Sequence, residues 1–138
     1  MDDRKEFVQK LLTRRVERAY PSDEEVRRRL TDDGPLKIYL GIDPTGPDIH
    51  LGHTIALLFL KQLSEIGHRP VIVLGDFTAR IGDPTDKTAA RRALTSEEVG
   101  LHMQDYVEQI ATLMPRGSFD VRYNSEWLAR MTFEGVVD

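Results

Sequence analysis

Residues 41–53 read GIDPTGPDIHLGH, and this stretch decides the fold. It follows an apolar run, Leu36 to Ile42, that is typical of a strand, and it precedes an apolar pattern at helical spacing from Gly52 to Ile66. Two prolines and a glycine between Asp43 and Asp48 favour a loop there. The stretch is therefore predicted to connect a strand to the start of a helix.

The same alternation continues along the chain. Val71 to Gly75 is a continuous apolar run of the kind buried in parallel sheets. Thr95 with Glu98 predicts the start of a helix, Phe119 to Tyr123 a third strand, and Ser125 a further helix. This order predicts an α/β fold, a Rossmann-like, doubly wound parallel sheet. Such sheets bind ligands at the carboxyl ends of their strands.

Helices are predicted to precede the sheet. Apolar residues recur at helical spacing between Asp2 and Ala19, and Ser22 with Glu25 forms a capping-box pattern. We therefore divide the chain into an N-terminal helical segment, residues 1–33, and the first half of a Rossmann-like catalytic domain, residues 34–138. The predicted last helix continues to the end of the sequence, which indicates an incomplete domain.

Composition excludes several classes of protein. The 138 residues include no cysteine, so disulfides, zinc–cysteine sites and thiol nucleophiles are excluded. The net charge is −4, which argues against a general polyanion binder. Neither a secretory signal nor a membrane-spanning run is apparent, and we expect a cytoplasmic protein without membrane contact. The G-x-G-x-x-G and P-loop patterns are absent, which disfavours nicotinamide binding and P-loop chemistry.

His50 and His53 are the first candidates for chemistry. They are three residues apart at a predicted helix start, where they share one face beside free backbone N–H groups and the positive end of the helix dipole. Gly52 lets a flat ring approach the backbone. This arrangement suits a polyphosphate. Alone, the pair is more typical of surface or capping histidines, and a metal site with Asp43 or Asp48 is a lesser alternative.

A second segment follows the second predicted strand, where residues 75–87 read GDFTARIGDPTDK. Asp83 could hold a substrate ammonium group, and Lys87 and Arg91 could reach a leaving phosphate. Alone, the segment could be an Asp-Pro turn with solvated basic residues.

Together, the two segments resemble the tyrosyl-tRNA synthetase family of class I aminoacyl-tRNA synthetases. Residues 50–53, HLGH, match the class signature usually written HIGH. Residues 41–45, GIDPT, and 81–84, IGDP, indicate the tyrosine enzyme, and the similarity continues through residues 124–128, NSEWL.

The resemblance implies roles at the nucleotide. His50 and His53 would act in catalysis by contacting the ATP phosphates and ribose during adenylate formation, and Gly52 would lie under the adenine. A loop of Asp43, Pro44 and Thr45 would pack around the nucleotide. Two basic residues, Lys87 and Arg91, would lie near pyrophosphate and complete the ATP-binding positions.

The resemblance also implies a tyrosine pocket. Tyr39 would lie near the substrate hydroxyl, Asp83 would help hold the ammonium group, and Gly41 and Asp43 would line the pocket. The implied reaction is ATP-dependent activation of tyrosine, with Mg²⁺ accompanying ATP, followed by transfer to tRNA(Tyr). We expect a homodimer for the full-length protein and no structural metal site.

Several features depart from the family pattern. Asp86 replaces a frequent glycine, and Ala56 lacks a hydroxyl found near the ribose in some members. The lysine-rich loop, the helix that completes the tyrosine pocket and the anticodon-binding domain are absent from the sequence, so we expect the isolated chain to be poorly active. Two alternatives remain, a tryptophanyl-tRNA synthetase and a non-catalytic nucleotide-binding module. His68 is predicted to be a helix-end cation and His102 a surface histidine.

Overall fold

The computed structural model describes residues 2–81, 95–132 and 134–137. The chain begins with two helices and continues as three strands with helical connections, and one 3₁₀ turn lies at Thr78–Arg80. The helices are α1 (Asp2–Arg15), α2 (Asp23–Asp32), α3 (Leu51–Glu65), α4 (Ser96–Leu113), α5 (Ser125–Leu128) and α6 (Glu134–Val137); the strands are β1 (Lys37–Ile42), β2 (Arg69–Leu74) and β3 (Asp120–Tyr123).

The three strands form one parallel sheet in the order β1-β2-β3. Lys37 is in register with Arg69, and Val71 with Asp120. Helices α3 and α4 contact each other and lie on the same face of the sheet. The predicted α/β, Rossmann-like sheet is confirmed. Within the described residues it is one βαβαβ run, and no helix layer covers the opposite face.

Local sequence signals account for the helix ends. The Ser22 hydroxyl accepts a hydrogen bond from the N–H of Glu25. Thr95 and Glu98 form a reciprocal capping box at the start of α4. Gly67 follows α3 with φ of +93°, a left-handed conformation that favours glycine. The first helix ends at Arg15, earlier than the predicted Ala19.

The apolar core lies between the sheet and the helices on its covered face. Leu57 of α3, Tyr106 and Ile110 of α4, and Ile72 of β2 are all buried. Val8 of α1 belongs to the same cluster, as do other α1 and α2 side chains. The first two helices therefore share this core, while the division at residue 33 stays a prediction. The packing fixes α3 and α4 relative to the strands whose ends carry the candidate site.

The opposite face of the sheet is largely open. Along β1, Lys37, Tyr39 and Gly41 are exposed and alternate with more buried residues. Val71 and Val73, the register partners of Tyr39 and Gly41 on β2, are half-buried. None of the helices in the described ranges is long and apolar enough to cross a bilayer.

His68 links the start of the sheet to the first two helices. It is 3% exposed. Its Nδ1 accepts a hydrogen bond from the N–H of Leu36 at 3.2 Å, and its Nε2 lies 3.0 Å from the Leu30 carbonyl, to which Arg4 also donates. Burial lowers the pKa of His68, the Arg4 charge lowers it further, and the Leu30 carbonyl partly opposes both. The prediction of a helix-end cation is wrong, because the ring is buried and one ring nitrogen must accept.

Candidate active site

The candidate site lies where the three strands end. Asp43 follows β1, Gly75 follows β2, and Asn124 follows β3. Because the strands are parallel, these positions lie at one edge of the sheet. This is the edge at which the sequence predicted ligand binding.

A chain of side-chain hydrogen bonds, which we call the carboxylate clasp, joins Asp43, Thr78 and Asn124. The Thr78 hydroxyl donates to Asp43 Oδ1 at 2.8 Å, and Asn124 Nδ2 donates to Thr78 Oγ1 at 2.8 Å. Asn124 Oδ1 in turn accepts from the N–H of Phe77 at 3.0 Å. Asn124 is 8% exposed, whereas Asp43 is exposed. The buried Asn124 amide thus fixes, through the Thr78 hydroxyl, one oxygen of the accessible Asp43 carboxylate.

Gly75 makes room for the clasp. A Cβ at this position would lie 1.8 Å from Asp43 Oδ1 and 2.4 Å from Thr78 Oγ1. Both distances are far below any van der Waals contact, so any other residue would displace these side chains. Sequence reasoning assigned no role to Gly75, Thr78 or Asn124. The signal available for Asn124 was its position directly after a strand, at the ligand-binding edge.

His50 and His53 lie together at the start of α3. Their rings stack with centroids 3.9 Å apart and planes 16° apart. His50 Nδ1 accepts from the N–H of Gly52 at 3.1 Å, and His53 Nδ1 accepts from the N–H of His50 at 3.3 Å. Each Nδ1 is therefore an acceptor, which leaves Nε2 as the N–H donor of each neutral ring.

The pair differs in exposure. His50 is exposed and His53 is half-buried. Burial lowers the pKa of His53, and the neighbouring His50 lowers it further. At neutral pH His53 is consequently a neutral imidazole that offers one N–H. Such a donor beside the N-terminus of a helix can bind an anionic oxygen without carrying a full charge.

Gly52 is needed for the His50 conformation. A Cβ there would lie 2.9 Å from His50 Cε1 and 3.0 Å from His50 Nδ1. The sequence predicted that a flat ring could approach the backbone at this glycine. The ring that does so here is the imidazole of His50, and the adenine contact stays a prediction.

The loop before α3 is attached to α4. His102 Nδ1 lies 3.2 Å from the Pro44 carbonyl, and the Tyr106 hydroxyl donates to the Asp48 carbonyl at 3.3 Å. Gln109 contacts the same loop at several points, described below. His102 was predicted to be a surface histidine, but it is half-buried against this loop. No role was assigned to Tyr106 or Gln109 from the sequence.

The other predicted site residues are partly separated from the histidines. Pro44 is buried and Thr45 is exposed. Tyr39, 77% exposed, borders a groove of about 550 Å³ beside α1, α2 and β1, and among the described residues no other predicted site residue lines that groove. Gly41 follows on the same open face. The remaining predicted positions lie outside the described residues: Asp83, Asp86, Lys87 and Arg91.

The metal alternative gains no support from this geometry. In the part of the chain that the structure describes, no group of three or more His, Asp or Glu side chains could hold a metal ion. His50 and His53 each use Nδ1 to accept from the backbone. A site that binds phosphate oxygens accounts for both rings.

The fold is a Rossmann-like α/β fold with polar side chains at the carboxyl ends of its strands, and comparison with known proteins identifies the family. Residues 31–138 match the family model described as tRNA synthetases class I (W and Y). The chain therefore belongs to the class I aminoacyl-tRNA synthetases of the tryptophan and tyrosine group.

Among these synthetases, several similar proteins are tyrosine enzymes. The chain is 43% identical to the tyrosine–tRNA ligase of Moorella thermoacetica over 94% of its own length, and 49% identical to that of Trichormus variabilis over 83%. It is similar in structure to the tyrosyl-tRNA synthetase of Archaeoglobus fulgidus complexed with L-tyrosine, with a TM-score of 0.68, 25% identity and coverage of 96% of this chain and 38% of that one.

The chain spans only part of these proteins. It covers 32% of the Moorella enzyme and 30% of the Trichormus enzyme. The structural match to a C-terminally truncated mitochondrial tyrosyl-tRNA synthetase of Aspergillus nidulans, at 20% identity and a TM-score of 0.68, covers 99% of this chain and 45% of that one, and it supports the fold alone.

Proposed function

We propose that the complete gene product carrying this chain activates tyrosine with ATP and Mg²⁺ and transfers the tyrosyl group to tRNA(Tyr). The observation that carries the proposal is the 43–49% identity to tyrosine–tRNA ligases across most of the chain. The family model alone would fit tryptophan equally well. The shared identity with tyrosine enzymes favours tyrosine.

In the proposed reaction, a carboxylate oxygen of tyrosine attacks the α-phosphorus of ATP. The bond from that phosphorus to the pyrophosphate oxygen breaks, which gives tyrosyl-adenylate and pyrophosphate. No proton transfer is needed at the carboxylate, so the protein acts by alignment and charge stabilisation. His50 and His53 would donate their Nε2–H groups to phosphate oxygens, beside the N-terminus of α3. Mg²⁺ enters with ATP as part of the substrate.

Further positions complete the proposal. Asp43, Pro44, Thr45 and Gly52 would surround the nucleotide, and the clasp would hold the Asp43 carboxylate in a fixed orientation. Two bases outside the described residues, Lys87 and Arg91, would approach pyrophosphate.

The tyrosine pocket would include Tyr39 at the substrate hydroxyl and Asp83 at the ammonium group, with Gly41 and Asp43 between them. The exposure of Tyr39 on the open face of the sheet is consistent with a substrate contact there. We further propose a cytoplasmic location and a homodimeric assembly for the complete gene product.

Amino-acid-dependent ATP–pyrophosphate exchange on the purified complete gene product tests the proposal. We expect exchange with tyrosine and little with tryptophan. In the same assay, His50→Ala and His53→Ala should each lower kcat by about 10- to 1,000-fold, the range for loss of a charge-stabilising donor. The KM for tyrosine should change little, because these groups act on the phosphates.

Gln104→Ala is the matched control, since Gln104 is exposed on α4. Exchange driven by tryptophan instead of tyrosine would favour the tryptophan enzyme. ATP binding without exchange would favour a non-catalytic module. Wild-type exchange in the double variant His50→Ala/His53→Ala would show that the histidines have no part in the mechanism. The assignment of tyrosine as the substrate would still stand.

A further inference from the structure

Gln109 of α4 makes a set of contacts that goes beyond packing. We propose that Gln109 is a positioning residue that holds the loop 43–50 so that His50 and His53 face the ATP phosphates. The inference rests on the proposed function, because it assigns these histidines to the nucleotide.

The loop has few means of holding its own shape. Pro44 and Pro47 have no N–H to donate. The N–H of Thr45 bonds to the Asp43 carbonyl. Ile49 in this loop is half-buried, and a half-buried backbone N–H needs a hydrogen-bond partner, which another element must supply here.

Gln109 makes three hydrogen bonds to this loop with one side-chain amide, two of them to backbone groups and one to a side chain. Its Oε1 accepts from the N–H of Ile49 at 2.9 Å. Its Nε2 donates to the Pro47 carbonyl at 3.1 Å and to Asp48 Oδ1 at 3.2 Å. Both ends of the amide are thus used on three consecutive loop residues. A side chain that only filled space would not need this donor and acceptor arrangement.

The amide is mounted on a rigid support. Tyr106 and Ile110, on either side of Gln109 in α4, are 2% and 0% exposed in the core. Tyr106 also donates to the Asp48 carbonyl and lies near His53, with ring centroids 6.1 Å apart. The loop is therefore held in place relative to α4 by two side chains three residues apart on that helix, Tyr106 and Gln109.

The contact with Ile49 is next to the catalytic candidates. Ile49 immediately precedes His50, the N-cap of α3, whose ring conformation depends on the Gly52 N–H and on stacking against His53. Releasing the N–H of Ile49 would let the His50 backbone rotate and the stacked pair shift. Misplacement by about 1 Å can cost about 100-fold in rate.

Gln109→Met tests the proposal in the complete gene product. Methionine keeps a similar volume and helix propensity but removes the amide. We expect the kcat of tyrosine-dependent pyrophosphate exchange to fall by about 10- to 100-fold, with the KM for tyrosine within about twofold of wild type. Gln104→Met, on an exposed position of the same helix, is the matched control and should retain wild-type kinetics.

Two further measurements separate positioning from a merely structural role. Amide hydrogen exchange followed by mass spectrometry should show faster exchange in the peptide covering residues 43–52, with the core of α4 unchanged. In a His50→Ala/His53→Ala background, Gln109→Met should lower kcat by a much smaller factor than in wild type, because its effect passes through the histidines.

An unchanged kcat in Gln109→Met would overturn the proposal. The proposal would also be overturned if Gln109→Met lowered kcat by the same factor in both backgrounds, or if amide hydrogen exchange in residues 43–52 did not change. A wild-type protein without tyrosine-dependent exchange would instead refute the proposed function, and the hydrogen-exchange result would still show whether Gln109 holds the loop.

Discussion

Gly75 determines whether the Asp43 carboxylate can occupy its observed position. The position directly after β2 is buried, and a methyl group there would overlap Asp43 Oδ1 and Thr78 Oγ1. The exposed Asp43 side chain can move away more easily than the buried backbone can. The expected consequence of a larger residue is therefore a displaced carboxylate in a chain that still folds.

Gly75→Ala should lower kcat/KM for tyrosine-dependent exchange by about 10- to 100-fold, because the clasp can no longer orient Asp43. The free energy of unfolding should fall by about 1–3 kcal/mol, the range for overpacking. Gly100→Ala is the control, since Gly100 lies inside α4 with open space around its Cβ position. That change should leave exchange intact and stabilise the helix by about 0.5–1 kcal/mol. Wild-type kcat/KM in Gly75→Ala would show that the clasp is irrelevant to turnover.

At the scale of elements, His68 connects four of them through one ring. It precedes β2 and bonds to the N–H of Leu36 before β1 and to the carbonyl of Leu30 on α2, where the α1 residue Arg4 also donates. Protonation would convert Nδ1 from acceptor to donor and place a positive charge beside Arg4. The neutral ring is therefore the form that holds these elements together.

The pKa of His68 is lowered in the folded chain. The unfolded chain, with a histidine pKa of about 6.5, takes up its proton first as the pH falls. The contribution of His68 to the stability of the folded chain is therefore fully present above about pH 6.5. It is lost as the pH falls from there toward the lowered pKa of the folded state. His53, whose pKa is also lowered, acts in the same direction.

Urea unfolding of the 138-residue chain at pH 7.5 and 5.5, for wild type and His68→Gln, isolates the contribution of His68. Wild type should lose more stability between these pH values than the variant does, by an amount on the order of 1 kcal/mol. The His53 contribution cancels in the difference. An equal loss in both proteins would contradict the proposed neutral ring.

The sequence predicted the elements of the sheet well, because their signals are local. Apolar runs, the Thr95–Glu98 capping box and Gly67 each act within a few residues. It also predicted that His50 and His53 would share a helix start. The class signature made that pair conspicuous.

The contacts that hold the site together were not predictable in the same way. Gln109 meets Ile49, and Asn124 meets Thr78, only after the chain has folded back on itself. No periodicity indicates such a pairing. His68 and His102 were misjudged for the same reason, since a histidine in a polar stretch gives no sign of which distant backbone group it will contact.

At the scale of the whole molecule, one face of the sheet carries helices and the other is open in the described residues. The phosphate-binding candidates in the structure, His50 and His53, lie at one side of the strand-end edge. The resemblance implies that an opposing lysine-rich loop and the remaining tyrosine contacts come from residues beyond this sequence. The relatives are about three times as long as the chain, which covers 32% of the Moorella enzyme.

The 138-residue chain alone should therefore fold and bind ATP weakly but give less than about a tenth of the exchange rate of the complete gene product. Groups on one side of the phosphates can hold ATP in its ground state, but the departing pyrophosphate needs stabilisation that develops in the transition state. The exposed Tyr39 and half-buried Val71 and Val73 should also promote self-association, because apolar area on an open sheet face favours contacts between copies. Exchange measured at matched concentration, with sedimentation velocity to report the oligomeric state, tests both expectations. A rate within about tenfold of the complete gene product would mean that these 138 residues contain nearly all of the groups that stabilise the transition state. A strictly monomeric chain would mean that the open face is too polar to associate.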